Sequence, residues 1–250
     1  MAVDPWFYAA AVPAVLVFGI SKGGFPGVSV ISIPLMALVI PPVQAAAIML
    51  PILCVMDVVT VWAFRGRWVL PELRVLLPGA LAGIGIGTLT FGLLNSDAIK
   101  LIVGAIALVF TLHRWLDSRS TGRRPYAPWH LGVLAGIGAG FTSFIAHAGG
   151  PPFSVYLLRR PLDKTQFVAT AAVFFAVVNY VKLAPYAWLG QLSGDNLLQS
   201  AVLAPLAPVG VVAGVWLHRR ASEPAFFRIA YFFLFLVGLK LIRDGIAGLA

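Results

Sequence analysis

The run Ser21-Lys22-Gly23-Gly24-Phe25-Pro26 has a counterpart in the second half of the chain, His147-Ala148-Gly149-Gly150-Pro151-Pro152, and each run interrupts apolar sequence. Glycine lets a backbone turn sharply and lets a ligand approach the main chain. Proline directly after it is tolerated at the first positions of a new helix, where the N–H groups lack an intrahelical partner anyway. Gly23, Gly24, Gly149 and Gly150 are therefore expected at breaks where short helices begin, with positive dipole ends directed at the break. Such helix starts bind anions. Lys22 at the first break and His147 at the second strengthen the site, and Ser21, Thr142 and Ser143 add neutral donors. An anion with several acceptor oxygens would gain charge-assisted hydrogen bonds there while shedding its water. The bland alternative is that the glycines serve tight packing alone and that Lys22 extends to the outer surface. His147 reads either as a neutral, hydrogen-bonded core histidine or as a ligand donor or proton carrier.

Polar residues elsewhere in apolar sequence add to this set. Asp57 is either a coupling or gating carboxylate or a structural partner of Lys22 or Lys182. Asn179 and Lys182 share one helix face by i, i+3 spacing and can line a pathway together. Gln44 and Gln166 recur near the starts of their segments, where helix-end packing is the expected role.

The elements that must hold these residues are membrane helices. Of 250 residues, 60% are hydrophobic and 11% charged, whereas a soluble domain carries about a quarter charged residues. Stretches such as 43–64 and 167–189 are long enough to cross a hydrocarbon core of about 30 Å. The formal net charge of +9 resides in short basic runs between apolar segments, the pattern of cytoplasmic loops and not of a nucleic-acid-binding face. A single cysteine, Cys54, excludes disulfides within the chain and Cys-x-x-Cys chemistry. No basic region precedes the first apolar run, so that segment is expected to remain as structure.

Hydropathy marks ten helical stretches, at 6–22, 27–39, 43–64, 74–94, 97–116, 128–146, 151–159, 165–189, 196–217 and 225–248. At 1.5 Å per residue, 27–39 and 151–159 span only about 20 Å or less and cannot cross alone. Basic clusters at Arg65, Arg67 and Arg74, at Arg114, Arg119, Arg123 and Arg124, at Arg159, Arg160 and Lys164, and at Arg219, Arg220 and Arg228 are expected in the cytoplasm. The connections at Pro41-Pro42, Asn95 to Asp97 and Leu189 to Asn196 lack Lys and Arg and are expected outside, as are both termini, with Lys240 and Arg243 in mild dissent. These assignments alternate only if the two broken pairs each enter and leave on one side, as re-entrant hairpins, the first from outside and the second from the cytoplasm. Each hairpin is then followed by three crossings, the odd number that an inverted repeat requires. Gln44 and Asp57 match Gln166 and Asn179 at one constant offset, and Pro78, Gly83 and Gly87 match Pro205, Gly210 and Gly214 at another. The expected fold is thus an all-α integral membrane protein with a first repeat at 1–117, a cytoplasmic linker at 118–127 and a second, inverted repeat at 128–250.

The run Gly19 to Gly27, followed by Pro34-Leu35 and an alanine-rich segment after Pro41-Pro42, together with Gly140 to Pro152 in the second half, resembles the TauE/SafE family of sulfite exporters and toluenesulfonate uptake permeases. The resemblance covers nearly the whole chain. It implies a secondary transporter for sulfur-containing anions such as sulfite, sulfonates or sulfoacetate in a bacterial inner membrane. Alternating access would proceed around a mid-membrane site at the two tips. An anion channel and a non-transporting membrane assembly protein are the alternatives. An enzyme is not expected, since His113, His130, His147 and His218 lie on separate segments and neither a His-Glu-x-x-His nor a phosphate-loop pattern occurs. No cofactor or metal is expected; the partners are a small anion and the bilayer. The glycine-rich faces permit a homodimer without requiring one.

Overall fold

A computed structural model describes residues 5–25, 28–117, 126–220 and 224–249, apart from the side chains at 110, 113, 114, 117, 219, 224–231 and 233. Pro26, Gly27, the linker up to residue 125 and the side chains of Arg114, Arg119, Arg123, Arg124, Arg219 and Arg228 therefore lie outside the described residues. The described chain is all-helical. In order it forms α1 (Pro5–Lys22), a 3-10 turn (Val28–Ile31), α2 (Ser32–Met36), α3 (Pro42–Ala63), α4 (Leu70–Thr90), a 3-10 turn (Phe91–Leu93), α5 (Ser96–Asp117), α6 (Trp129–Ala146), α7 (Gly150–Leu157), α8 (Lys164–Trp188), α9 (Gly194–Leu203), α10 (Leu206–Arg220) and α11 (Pro224–Leu249).

Local chemistry accounts for where these helices start. Proline occupies the first or second position of α3, α4 and α7, where it removes no helical hydrogen bond. A capping box opens α8: the Gln166 N–H donates to Asp163 Oδ1 at 2.8 Å while the Asp163 N–H donates to Gln166 Oε1 at 3.2 Å. Gln44 near the start of α3 donates to Asn196 Oδ1 at 3.3 Å. Both glutamines are helix-end residues.

Among the described residues five helices, α1, α3, α4 with its following turn, α6 and α8, are long and apolar enough to cross a membrane, and α9 with α10 adds a sixth candidate bent by 44°. The stretch expected as one helix over 196–217 is divided at Ala204-Pro205 because proline removes a backbone donor and crowds the preceding turn. The stretch at 27–39 is shorter still, only a 3-10 turn and the five-residue α2. Trp6, Trp62, Trp129, Trp188 and Trp216 are exposed, as aromatic residues of an interfacial belt should be.

Packing follows a paired scheme: α4 lies along α6, α1 along α10, α3 against α8 and α5 against α11. Glycine sets the first two contacts. A Cβ at Gly83 would overlap the Ile137 carbonyl, one at Gly140 the Ala80 carbonyl, and one at Gly214 the Ile20 carbonyl. A Cβ at Gly19 would come within 2.7 Å of Gly210 Cα. Small residues at such crossings let backbones approach and give the van der Waals contact that lipid tails cannot supply differentially.

In both broken pairs the two outer ends lie near common partners. Tyr8 in α1 donates to Gln199 of α9 at 3.3 Å, and Gln44 in α3 reaches Asn196 of the same helix, so the chain leaves and rejoins one end through α1 and α2. In the second pair, Arg160 after α7 donates to the Ala127 carbonyl before α6 at 3.0 Å and lies over the Tyr126 ring at 4.1 Å. Glu72 at the start of α4 holds that same arginine at 2.7 Å. Since α4 follows the far end of α3, the two hairpins open at opposite ends of α3.

Candidate functional site

The first tip is built by Ser21, whose hydroxyl donates to the Phe25 carbonyl at 3.0 Å and accepts from the Ser29 N–H at 3.1 Å. These two bonds tie the end of α1 to the following 3-10 turn. Gly24 has φ 145°, a conformation open to glycine and strained for other residues, and a Cβ there would strike His218 of α10. Gly23 faces Val211 and Gly214 and serves packing against α10. Lys22 pairs with Asp57 of α3, whose other oxygen accepts from the Asn179 side-chain amide of α8 at 2.7 Å. Both charges are buried, with 10% of the Lys22 side chain and 1% of the Asp57 side chain exposed. A pair at this depth holds together because removing either member would strand the other.

At the second tip the left-handed residue is His147 (φ 51°), while Gly149 has an ordinary φ of −72°. His147 ends α6 as a left-handed C-cap, with its N–H on the Ser143 carbonyl at 3.0 Å and the Ala148 N–H on the Thr142 carbonyl at 3.2 Å. A histidine in this conformation carries a penalty of about 1–2 kcal/mol that glycine would avoid. Its side chain explains its presence. His147 Nε2 lies 2.9 Å from the Ala46 carbonyl and Nδ1 2.7 Å from Lys182 Nζ. The carbonyl can only accept, so Nε2 carries the ring proton and Nδ1 accepts from the lysine. Lys182 completes its bonding with the Ser143 carbonyl at 2.9 Å and the Ser143 hydroxyl at 3.0 Å. Tyr186, one turn further along α8, donates to the Phe144 carbonyl at 2.6 Å.

Both tips line a single cavity of about 620 Å³, including its open mouth. Ser21, Lys22 and Ser29 come from the first tip and Ser143, His147 and Gly150 from the second, with Thr60 of α3 and Asn179 of α8 between them. Phe18, Leu53, Phe153 and Phe175 supply much of the apolar wall. Of the other expected site residues, Asp57 and Lys182 stand behind this lining. Thr142 binds the Gly138 carbonyl at 2.7 Å, and a Cβ at Gly149 would come within 2.6 Å of the Ala139 carbonyl. Asn179 and Lys182 hold different partners: the first donates to Asp57 and the second to His147.

The expectation of several free N–H groups at the start of α7 needs correction. Pro151 and Pro152 carry no N–H, and the Phe153 N–H is bonded to the Gly149 carbonyl at 3.2 Å. The polar side chains of the cavity lining are Ser21, Lys22, Ser29, Thr60, Ser143, His147 and Asn179. Among the described residues no three His, Cys, Asp or Glu side chains converge as a metal site.

The family model described as Sulfite exporter TauE/SafE matches residues 11–241, nearly the whole chain. The chain belongs to the TauE/SafE family. The match places this multi-pass membrane protein among transporters of sulfite- and sulfonate-type anions. No curated protein and no solved structure matched. Within this TauE/SafE chain, two features of the site had little signal in sequence. Ser29 enters the cavity only because the first hairpin folds back. The Glu72–Tyr156–Arg160 cluster, with Tyr156 donating to Glu72 at 2.7 Å, joins α4 to the end of α7. Its one trace in sequence is a carboxylate in the first turn of an apolar helix that follows a basic loop.

Proposed function

We propose that the chain is a secondary transporter that carries a sulfur-containing anion by alternating access around the cavity between its two hairpin tips. The observation that carries this reading is the convergence of Lys22, Ser21 and Ser29 from one hairpin with His147, Ser143 and Gly150 from the other on one cavity. An anion there meets the Lys22 ammonium, hydroxyl donors and the Asn179 amide, in a setting where water is scarce and each such contact is strengthened. The two halves, 1–117 and 128–250, act as an inverted repeat. Exchanging them maps the α1–α10 contact onto the α6–α4 contact and leaves the α3–α8 and α5–α11 contacts in place, and the hairpins open at opposite ends of α3.

The residues of α3 and α8 that line the cavity run from the middle of each helix, at Leu53 and Asn179, toward the end that carries Arg65, Arg67, Arg159, Arg160 and Lys164, at Thr60 and Val168. That end is cytoplasmic by its charge. The arrangement is accordingly an inward-facing one, with His147, Lys182 and Tyr186 closing the outer side and both termini outside a bacterial inner membrane. Asp57 gates the site by holding Lys22 when no anion is present.

Purified protein should be stabilised against heat by sulfite, sulfoacetate, taurine or toluenesulfonate more than by carboxylates of the same size. A ligand at a hundred times its dissociation constant contributes about 2.7 kcal/mol. Absence of stabilisation by every sulfur anion would overturn this reading.

A further inference from the structure

Lys182 is fully buried, and all three of its ammonium hydrogens are directed at neutral acceptors: the Ser143 carbonyl, the Ser143 hydroxyl and His147 Nδ1. Among the described residues no carboxylate pairs with it, because Asp57 is already engaged by Lys22 and Asn179. The other titratable or charged groups facing Lys182 are Lys22 from α1, Cys54 and Asp57 from α3, and Tyr186 on its own helix. Lys22 and Asp57 cancel. The excess positive charge of the site therefore resides on the Lys182–His147 dyad whenever that dyad is protonated, and an uncompensated buried ammonium is expensive.

We propose that this dyad carries one exchangeable proton that is taken up together with the anion and released with it. The proposal rests on the reading of the cavity as an anion site and adds the coupling ion. An anion in the cavity lies on the far side of Ser143 and His147, both of which line it. Its charge compensates the protonated dyad, so each stabilises the other. Ser143 provides the path: its hydroxyl contacts Lys182 Nζ at 3.0 Å, and the residue lines the cavity. With Lys182 neutral, the amine lone pair accepts from the Ser143 hydroxyl; that proton passes to nitrogen as a proton from hydronium in the solvent, relayed by cavity water, arrives on Oγ. Release runs in reverse, and no covalent bond to carbon or sulfur changes. His147, donating from Nε2 to Ala46, keeps its Nδ1 lone pair aimed at the lysine and so positions it. Lys182 acts through these residues without touching the anion.

The test is calorimetry of methanesulfonate and toluenesulfonate binding to the detergent-purified full chain, in buffers of different ionisation enthalpy and over a range of pH. Both probes stay ionised throughout, so any proton exchanged belongs to the protein. Uptake approaching about one proton per anion is expected where the empty dyad is neutral, with affinity weakening about tenfold per pH unit on the alkaline side. Lys182→Met should bind without uptake and without that pH dependence. The wild-type measurement decides even if the variant does not fold. Binding with no proton uptake at any pH would overturn the proposal and leave the anion site standing. Failure of both probes and of sulfite to bind would remove the site and the proposal together.

Discussion

Replacing Lys22 by methionine is expected to abolish anion flux and to destabilise the protein by about 3–5 kcal/mol, since it strands a buried carboxylate. Asp57 would retain only its 2.7 Å bond from Asn179. A second substitution separates the structural from the functional part of the loss. In the double variant Lys22→Met, Asp57→Asn neither member of the pair is left charged, so most of the stability should return, as measured by chemical or thermal denaturation in detergent. Flux in proteoliposomes should not return. Recovery of both would make Lys22 a structural partner of Asp57 and nothing more.

The other large effect is expected where α4 begins. Glu72→Ala removes the acceptor for both the Tyr156 hydroxyl and the Arg160 guanidinium, each at 2.7 Å. Glu72 is nearly fully buried and 16% of the Arg160 side chain is exposed, so the guanidinium left behind is only partly recovered by water. Destabilisation of about 3 kcal/mol follows. Tyr156→Phe forfeits a single hydrogen bond and should lose about 1 kcal/mol. The unfolding midpoints of the two variants should rank in that order. Equal midpoints would show that the cluster does not hold α7 against α4.

Much of this architecture was readable from composition and spacing. The hydropathy pattern marked the all-helical chain, and Gly83, paired with Gly210 in sequence, lies on a face where helices cross. Lys22 and Asp57 could be connected because a cation at that depth needs a partner, although Lys182 was an equal candidate from sequence. The i, i+3 spacing of Asn179 and Lys182 put them on one face but could not show that they diverge to different partners. That outcome depends on where α3 and the end of α6 lie across the fold, information that no local pattern holds. Glycine was the natural choice for the sharp turn at the second tip. His147 takes the left-handed conformation instead, and Gly149 is needed for space against Ala139. The apolar wall of Phe18, Leu53, Phe153 and Phe175 looked like ordinary membrane sequence, since an aromatic side chain facing a cavity and one facing lipid have the same type and spacing.

If one cavity, shared by the two tips, carries a sulfur anion across the membrane by alternating access, the bound anion must exchange across the bilayer. Counterflow tests it most directly: proteoliposomes loaded with unlabelled sulfite or sulfoacetate and diluted into labelled anion should accumulate label transiently and saturably. The Lys22→Met, Asp57→Asn variant should show none. Flux that is non-saturating and lacks counterflow, or counterflow that survives in that variant, would contradict the account.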